Sequence, residues 1–207
     1  MKIALIDYGS GNLQSAYKAL ELVSNCKKKI FITSNSKDLL KVDKIILPGV
    51  GAFFDCMKGL KSLPGMIDVL NEVVLEKKKP FLGICIGMQL LATEGKEKGN
   101  HKGLGWIKGK VIKIKKNKKI KIPHMGWNTV KVISKHPILK RKEFESYFVH
   151  SYNFICRDKK NIIATCDYQQ KITAIVGKEN IIGTQFHPEK SQKVGLEILK
   201  NFVSWNF

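Results

Sequence analysis

Pro80-Phe81-Leu82-Gly83-Ile84-Cys85-Ile86-Gly87-Met88-Gln89-Leu90-Leu91 is an apolar run in which a cysteine stands between two glycines, each two residues away. This spacing is the G-x-nucleophile-x-G pattern of a nucleophile elbow, with cysteine in the position that serine occupies in most hydrolases. The elbow requires glycine because a buried strand turns sharply into a helix and the two backbones approach closely. The pattern predicts a strand, a strained turn at Cys85 and a helix.

A candidate base for this thiol stands downstream, in Gly183-Thr184-Gln185-Phe186-His187-Pro188-Glu189-Lys190-Ser191. An imidazole can take the thiol proton, and a carboxylate two residues further on can orient the imidazole. A buried structural cysteine or an ordinary His-Pro-Glu turn would explain either segment alone. Because both segments follow apolar strands, we predict a catalytic triad of Cys85, His187 and Glu189.

The two segments resemble the class I, triad-type glutamine amidotransferases, which release ammonia from glutamine. Three further segments narrow the resemblance to the ammonia-supplying glutaminase subunits of a histidine-pathway synthase: Ile6-Asp7-Tyr8-Gly9-Ser10-Gly11-Asn12-Leu13, Pro123-His124-Met125-Gly126-Trp127-Asn128 and Tyr147-Phe148-Val149-His150-Ser151-Tyr152. The resemblance covers essentially the whole chain, from Lys2 to the C-terminal helix.

The resemblance also implies the residues that hold glutamine and its tetrahedral intermediate. We expect one oxyanion donor in the backbone N–H of Ile86, directly after the nucleophile. The other is expected in the glycine-flanked turn Pro48-Gly49-Val50-Gly51, from Val50 and Gly51. The substrate-binding residues implied are Gly49, Gln89, His150, Ser151 and Tyr152. His150 is expected to have no catalytic duty.

The chain has no room for a second catalytic domain, and free ammonia would be lost to solution, so an acceptor protein is expected. By resemblance, the partner is a (β/α)8-barrel cyclase in a heterodimer that channels ammonia. The interface positions implied are Asn12, Trp127, Tyr147 and Lys190.

No cofactor is expected. The Asp7-Tyr8-Gly9 loop does not satisfy G-x-G-x-x-G, which argues against a dinucleotide. The five histidines are scattered without metal-ligand spacing, so no metal is expected. The five cysteines contain no C-x-x-C pair and predict no disulfide framework; they are Cys26, Cys56, Cys85, Cys156 and Cys166.

The length of 207 residues with 43% hydrophobic content predicts a single domain, 1–207, with a full core. No apolar run approaches the roughly 20 residues that cross a bilayer, and no signal peptide is evident, so we expect a cytoplasmic protein without a membrane partner. Short apolar strands alternate with helices up to the elbow, and the pattern is strand-rich from about 104 to 186. This predicts an α/β fold with a doubly wound, mostly parallel sheet flanked by helices and an antiparallel extension.

The net charge of +20 raises the question of nucleic-acid binding. Only two residues are arginine, Arg141 and Arg157, although arginine is preferred for paired hydrogen bonds to phosphates and bases. No nucleic-acid-binding motif is present. We therefore interpret the lysines as residues of solvent-exposed faces and expect no nucleic-acid partner. Lysines alternate with apolar residues over the run 108–121, which predicts a hairpin with its turn near Lys116-Asn117-Lys118.

Three other functions stay open at this point. A paralogous glutaminase could supply ammonia for amidine formation on a sugar, since its glutaminase half would look the same. A pyridoxal phosphate synthase glutaminase is disfavoured by Pro123-His124-Met125-Gly126-Trp127. A nucleic-acid-binding module on a retired amidotransferase fold is disfavoured by the intact Cys85, His187 and Glu189.

Overall fold

The computed structural model describes residues 1–24, 29–116 and 120–207. Cys26 and two residues of the predicted 116–118 turn, Asn117 and Lys118, lie outside the described residues. The prediction of a single domain over the whole chain stays a prediction.

A nine-stranded sheet forms the centre of the molecule, in the order β2-β1-β3-β4-β13-β12-β11-β8-β9. Its first five strands are parallel, and the remaining four continue it in antiparallel pairing. The predicted α/β fold with an antiparallel extension is therefore confirmed. The strands of this sheet are β1 (Lys2–Ile6), β2 (Lys29–Thr33), β3 (Lys44–Gly49), β4 (Phe81–Cys85), β8 (His124–Val132), β9 (Glu143–His150), β11 (Ile162–Asp167), β12 (Lys171–Lys178) and β13 (Ile181–Thr184).

A second sheet of four strands, in the order β10-β7-β5-β6, was not predicted from the sequence. Two of its strands have only two residues each, too short to leave a periodic pattern. Its strands are β5 (Glu94–Gly95), β6 (His101–Lys102), β7 (Gly109–Lys113) and β10 (Tyr152–Cys156). The hairpin predicted across 108–121 is wrong, because β7 pairs with β10 and β5 and residues 120–122 form no strand.

Six α-helices lie among the described residues and pack around the sheet. Helix α1 packs against α6 and β2, and α5 packs against β3, β4 and β13. Helix α2 was not predicted from the sequence, and residues 71–76 continue α4 as a π-helix. The helices are α1 (Leu13–Val23), α2 (Ser36–Leu39), α3 (Phe53–Ser62), α4 (Met66–Leu70), α5 (Ile86–Gln89) and α6 (Gln192–Ser204).

The parallel strands β3 and β4 are buried along their whole length, as expected for strands covered on both faces. The antiparallel strand β9 instead alternates between buried and more exposed residues, so it has one wet face. None of the described helices is long and apolar enough to cross a membrane.

The elbow glycines are required by backbone contacts. A Cβ atom on Gly87 would lie 1.8 Å from the carbonyl oxygen of Leu47 in β3, and one on Gly83 would lie 2.5 Å from the carbonyl oxygen of Gly87. Neither neighbour is a flexible side chain that could move aside. The close approach that the sequence pattern predicts is therefore present between β3, β4 and α5.

We expect Gly87→Ala to lower the free energy of unfolding by about 3 kcal/mol or more, because the added methyl overlaps a backbone oxygen. Gly105→Ala is the control: its φ of +72° is strained for alanine, but no atom lies within 4 Å of the new Cβ. That variant should lose only about 1 kcal/mol, since the stiffer unfolded chain offsets part of the strain. Urea denaturation of both variants measures the difference, and equal losses would contradict the steric argument.

Candidate active site

Cys85 ends strand β4 in a backbone conformation that residues with a side chain rarely adopt. Its φ is 55° and its ψ is −108°, and α5 begins at the next residue. The side chain is nearly buried, at 3% exposure. Strained backbone of this kind persists where the surrounding packing holds it, and it is typical of functional positions. The predicted strand-turn-helix elbow is confirmed.

The sheet order brings the other predicted residues to the same edge. Strand β13 is the parallel neighbour of β4, with Thr184 opposite Ile84, and strand β3 lies on the other side, with Gly49 opposite Cys85. The chain therefore leaves all three strands at their carboxyl ends within one region. This is the edge at which open α/β sheets bind ligands.

His187 follows β13, and its imidazole is held by the carboxylate predicted to orient it. Nδ1 of His187 lies 2.7 Å from Oε1 of Glu189, and their side chains are 2% and 3% exposed. Among the described residues, Nε2 of His187 has no hydrogen-bond partner of ordinary geometry. Burial lowers the pKa of His187, but the interactions with Cys85 and Glu189 outweigh it and raise the pKa to about 10.

A cavity of about 520 Å³ opens above Cys85. Most of the predicted substrate and oxyanion residues line it, whereas Gly49 is buried behind the cavity wall and faces Tyr8 and α5. The wall also contains one carboxylate and one ammonium group that were not predicted from the sequence. The lining residues are Val50, Gly51, Cys85, Ile86, Gln89, Glu97, Lys113, Ile122, Pro123, Val149, His150, Ser151, Tyr152 and His187.

Side chains from neighbouring elements hold the predicted oxyanion turn. The hydroxyl of Tyr8 donates to the carbonyl oxygen of Pro48 at 2.8 Å. The carbonyl oxygen of Val50 accepts from the Ser10 hydroxyl and from the Cys56 thiol. Because the C=O and N–H of a trans peptide point in opposite directions, the N–H of Gly51 points away from Ser10 and Cys56. The turn therefore has fixed peptides on both sides of the Gly49–Val50 bond.

Two buried amides hold the floor of the cavity. Nε2 of Gln89 donates to Oε1 of Gln185 at 2.9 Å, and Nε2 of Gln185 reaches the Cys85 sulfur at 3.7 Å. Oε1 of Gln89 is buried and makes no hydrogen bond to the described residues. In the part of the chain that the structure describes, no group of three or more His, Cys, Asp or Glu is placed to hold a metal ion.

None of the four predicted interface residues lines the cavity, but Tyr147 contacts His187 and Lys190 directly follows Glu189. The rings of Trp127 and Tyr147 meet edge to face at 6.1 Å, and Trp127 is 48% exposed. The carbonyl oxygen of Tyr147 accepts from the N–H of His187 at 3.0 Å. Lys190 is exposed in the turn 188–190, and α1, which follows Asn12, packs against that turn.

The sequence model of the family described as glutamine amidotransferase class-I matches residues 4–205. This match covers nearly the whole chain and agrees with the elbow, the downstream histidine and the sheet order. The chain belongs to the class I glutamine amidotransferase family.

Curated relatives define the branch of the family. A protein of Zymomonas mobilis subsp. mobilis is 50% identical over 206 residues, which is 99% of this chain and 96% of the relative. A protein of Rhodopseudomonas palustris is 47% identical, and the match covers 99% of each chain. Both are named imidazole glycerol phosphate synthase subunit HisH, so this chain belongs to that branch. The resemblance noted from the sequence is confirmed.

Solved structures agree on the fold. A structure described as a glutamine amidotransferase matches with a TM-score of 0.74 at 17% identity, covering 97% of both chains. A structure described as PurLQS from Thermotoga maritima matches with a TM-score of 0.70 at 21% identity, covering 98% of this chain and 95% of the other. At these identities the likeness supports the fold alone.

Proposed function

We propose that this chain is the glutaminase subunit of imidazole glycerol phosphate synthase and hydrolyses L-glutamine with Cys85, His187 and Glu189. The observation that carries the proposal is the buried His187–Glu189 pair beside the strained Cys85, all at one cavity. The relatives at up to 50% identity support the choice of synthase.

The chemistry proceeds through a thioester. The sulfur of Cys85 attacks the side-chain amide carbon of glutamine, and the carbonyl oxygen becomes an oxyanion facing Ile86 and the 48–51 turn. The proton lost by the Cys85 sulfur is held on His187, whose raised pKa of about 10 keeps the ring charged at neutral pH, and it passes to the nitrogen as the C–N bond breaks and ammonia leaves. A water molecule then attacks the thioester, with His187 accepting its proton, and glutamate departs as the thiol re-forms.

The pair of charges in the cavity suits the amino-acid end of glutamine. Glu97 lies in the wall as a carboxylate that can bind the α-ammonium group, and Lys113 can bind the α-carboxylate. Oε2 of Glu97 already accepts from the N–H of Phe53 at the start of α3, which fixes the position of the side chain. Gln89, the other predicted substrate-binding side chain at this end, lines the same cavity.

We expect Glu97→Gln to raise KM for glutamine about 10- to 100-fold with a much smaller change in kcat, because a charge-assisted hydrogen bond to the substrate is lost. The amide oxygen of the glutamine side chain introduced at position 97 can still accept from the N–H of Phe53, so the N-terminus of α3 is preserved. Glu94→Gln is the matched control, because Glu94 pairs with Lys96 and Lys110 and does not line the cavity. A KM that changes equally in both variants would contradict the assignment.

The partner subunit is, in this proposal, a (β/α)8-barrel cyclase that uses the ammonia to form imidazole glycerol phosphate and the aminoimidazole carboxamide ribotide. The exposed apolar face of β8 supports docking beside the site, since Met125 is 65% exposed and Trp127 is 48% exposed. Asn12, Tyr147 and Lys190 complete the proposed interface.

Release of glutamate by the purified chain, with and without the cognate cyclase and its ribotide substrate, tests the proposed function. We expect the cyclase and ribotide to stimulate glutamate release and imidazole glycerol phosphate to form. No release under any condition would refute the glutaminase. Release that the cyclase leaves unchanged would refute this synthase and favour a paralogue that serves a sugar.

A further inference from the structure

A chain of hydrogen bonds connects strand β8 with the wall of the cavity through two buried histidines. Nδ1 of His150 lies 2.8 Å from the carbonyl oxygen of Tyr152, and Nε2 of His150 lies 2.9 Å from Nδ1 of His124. Nε2 of His124 lies 3.1 Å from Nδ2 of Asn128. His124 and His150 are cross-strand neighbours in β8 and β9, and they are 2% and 5% exposed.

The direction of this chain is fixed from the cavity end. The carbonyl oxygen of Tyr152 can only accept, so Nδ1 of His150 carries a hydrogen and donates. In a neutral ring Nε2 of His150 is then an acceptor, so Nδ1 of His124 must donate to it. Nε2 of His124 is therefore also an acceptor and needs a donor beyond it.

The other end supplies that donor independently. The N–H of Thr129 donates to Oδ1 of Asn128 at 2.8 Å, and Nδ2 of Asn128 donates to the carbonyl oxygen of Asp167 at 2.9 Å. Backbone groups thus orient the Asn128 amide with its nitrogen towards His124. Both ends require the same order of donors and acceptors. In every hydrogen bond from Asn128 to Tyr152, the group on the Asn128 side donates and the group on the Tyr152 side accepts.

The surroundings keep both rings in place and uncharged. The ring of His124 stacks on Tyr168 at 4.1 Å and on Phe148 at 4.7 Å. Burial lowers the pKa of His124 to about 4 and that of His150 to about 3, so both are neutral at neutral pH. A doubly protonated ring would place two N–H groups face to face and break the series of hydrogen bonds.

We propose that Asn128, His124 and His150 form a relay that positions the 150–152 wall of the glutamine site. The inference rests on the proposed function, and it assigns Asn128 and His124 as positioning residues. The relay ends on the carbonyl oxygen of Tyr152, which Nε2 of Gln89 also reaches at 3.5 Å, and residues 150–152 line the cavity. It begins next to the exposed Trp127, so it joins the proposed partner face to the substrate pocket.

Substitutions at His124 separate positioning from packing. His124→Asn keeps a donor near the place of Nδ1, whereas His124→Leu fills similar space without one. We expect His124→Leu to raise KM for glutamine about tenfold or more with kcat little changed, and His124→Asn to remain near wild type. His136→Asn replaces a partly buried histidine that lies outside the relay and should leave KM unchanged.

Asn128→Asp tests the polarity of the relay. A carboxylate cannot donate to Nε2 of His124, so His124 must change. It either reverses its tautomer, which removes its donor to Nε2 of His150, or takes up a proton at Nε2, which keeps that donor and charges the ring. Nitrogen NMR of the ¹⁵N-histidine-labelled full-length protein should show Nδ1–H tautomers for His124 and His150 in the wild type. In Asn128→Asp it should show a changed tautomer or a doubly protonated ring at His124.

An Nε2–H tautomer of His150 in the wild type would overturn the relay. Unchanged KM and unchanged His150 tautomer in His124→Leu would overturn the positioning role. The NMR measurement does not depend on catalysis. Failure of the proposed function would instead appear as a wild-type chain that releases no glutamate with its cyclase.

Discussion

Replacement of Cys85 by alanine should reduce glutamine hydrolysis by on the order of 10⁴ or more, because none of the other described residues that line the cavity carries a thiol that could form the thioester. Alanine tolerates the positive φ at this position about as well as cysteine does, so the elbow should remain folded. The measurement is glutamate release in the presence of the cyclase, with circular dichroism and partner binding as checks of the fold.

Covalent labelling identifies the nucleophile directly. The glutamine analogue 6-diazo-5-oxo-L-norleucine should modify one site in the wild type and none in Cys85→Ala. Cys166→Ala is the matched control, because Cys166 is also a buried, free thiol and burial raises its pKa to about 12. Labelling found by peptide mass spectrometry at Cys26, Cys56, Cys156 or Cys166 instead would reject Cys85 as the nucleophile.

The elbow could be predicted from sequence because its constraints are local. Two glycines at fixed spacing and a continuous apolar run determine that a strand turns into a helix at Cys85, and the structure adds the backbone contact with Leu47. The same holds for α1, where apolar residues at helical spacing mark the buried face. Local periodicity was therefore enough to predict an alternation of strands and helices up to the elbow.

The second sheet shows where local pattern fails. Alternating lysine and apolar residues predict a strand with one wet face at β7, and β7 is a strand. The alternation does not specify which strand pairs with it, and a sequence-adjacent hairpin partner was the wrong choice. The actual partner, β10, lies some forty residues further along the chain, and such pairings are set by tertiary packing rather than by propensity.

The same limit applies to the site. The triad residues carry recognisable local motifs, whereas Glu97 and Lys113 carry none and enter the cavity wall only through the folded chain. The relay depends on the register that places His124 opposite His150. A shift of one residue would turn these side chains to opposite faces, so sequence alone could not reveal the pair.

His187→Asn should lower kcat more than Glu189→Gln, because His187 carries the proton whereas Glu189 orients the ring and stabilises its charged form. Loss of a positioned acid–base group costs on the order of 10²–10⁴ in rate. Glu189→Gln retains a hydrogen-bonding side chain at 2.7 Å from Nδ1 but loses the negative charge. It should therefore lower the pKa of His187 from about 10, and the pH–rate profile should shift accordingly.

Stability against pH gives an independent check on this pair. The pKa of His187 is raised above its ordinary value, so its charged form stabilises the fold below the unfolded pKa near 6.5, and this contribution is lost as pH rises through about 10. The difference in Tm between wild type and Glu189→Gln should thus be largest near pH 6 and shrink above pH 10. A difference that grows with pH would show that His187 is neutral in the folded protein.

The kinetic variants decide which histidine is the base. Near-normal turnover in His187→Asn would remove His187 from the mechanism, and loss of kcat in His150→Asn alone would transfer the role of base to His150.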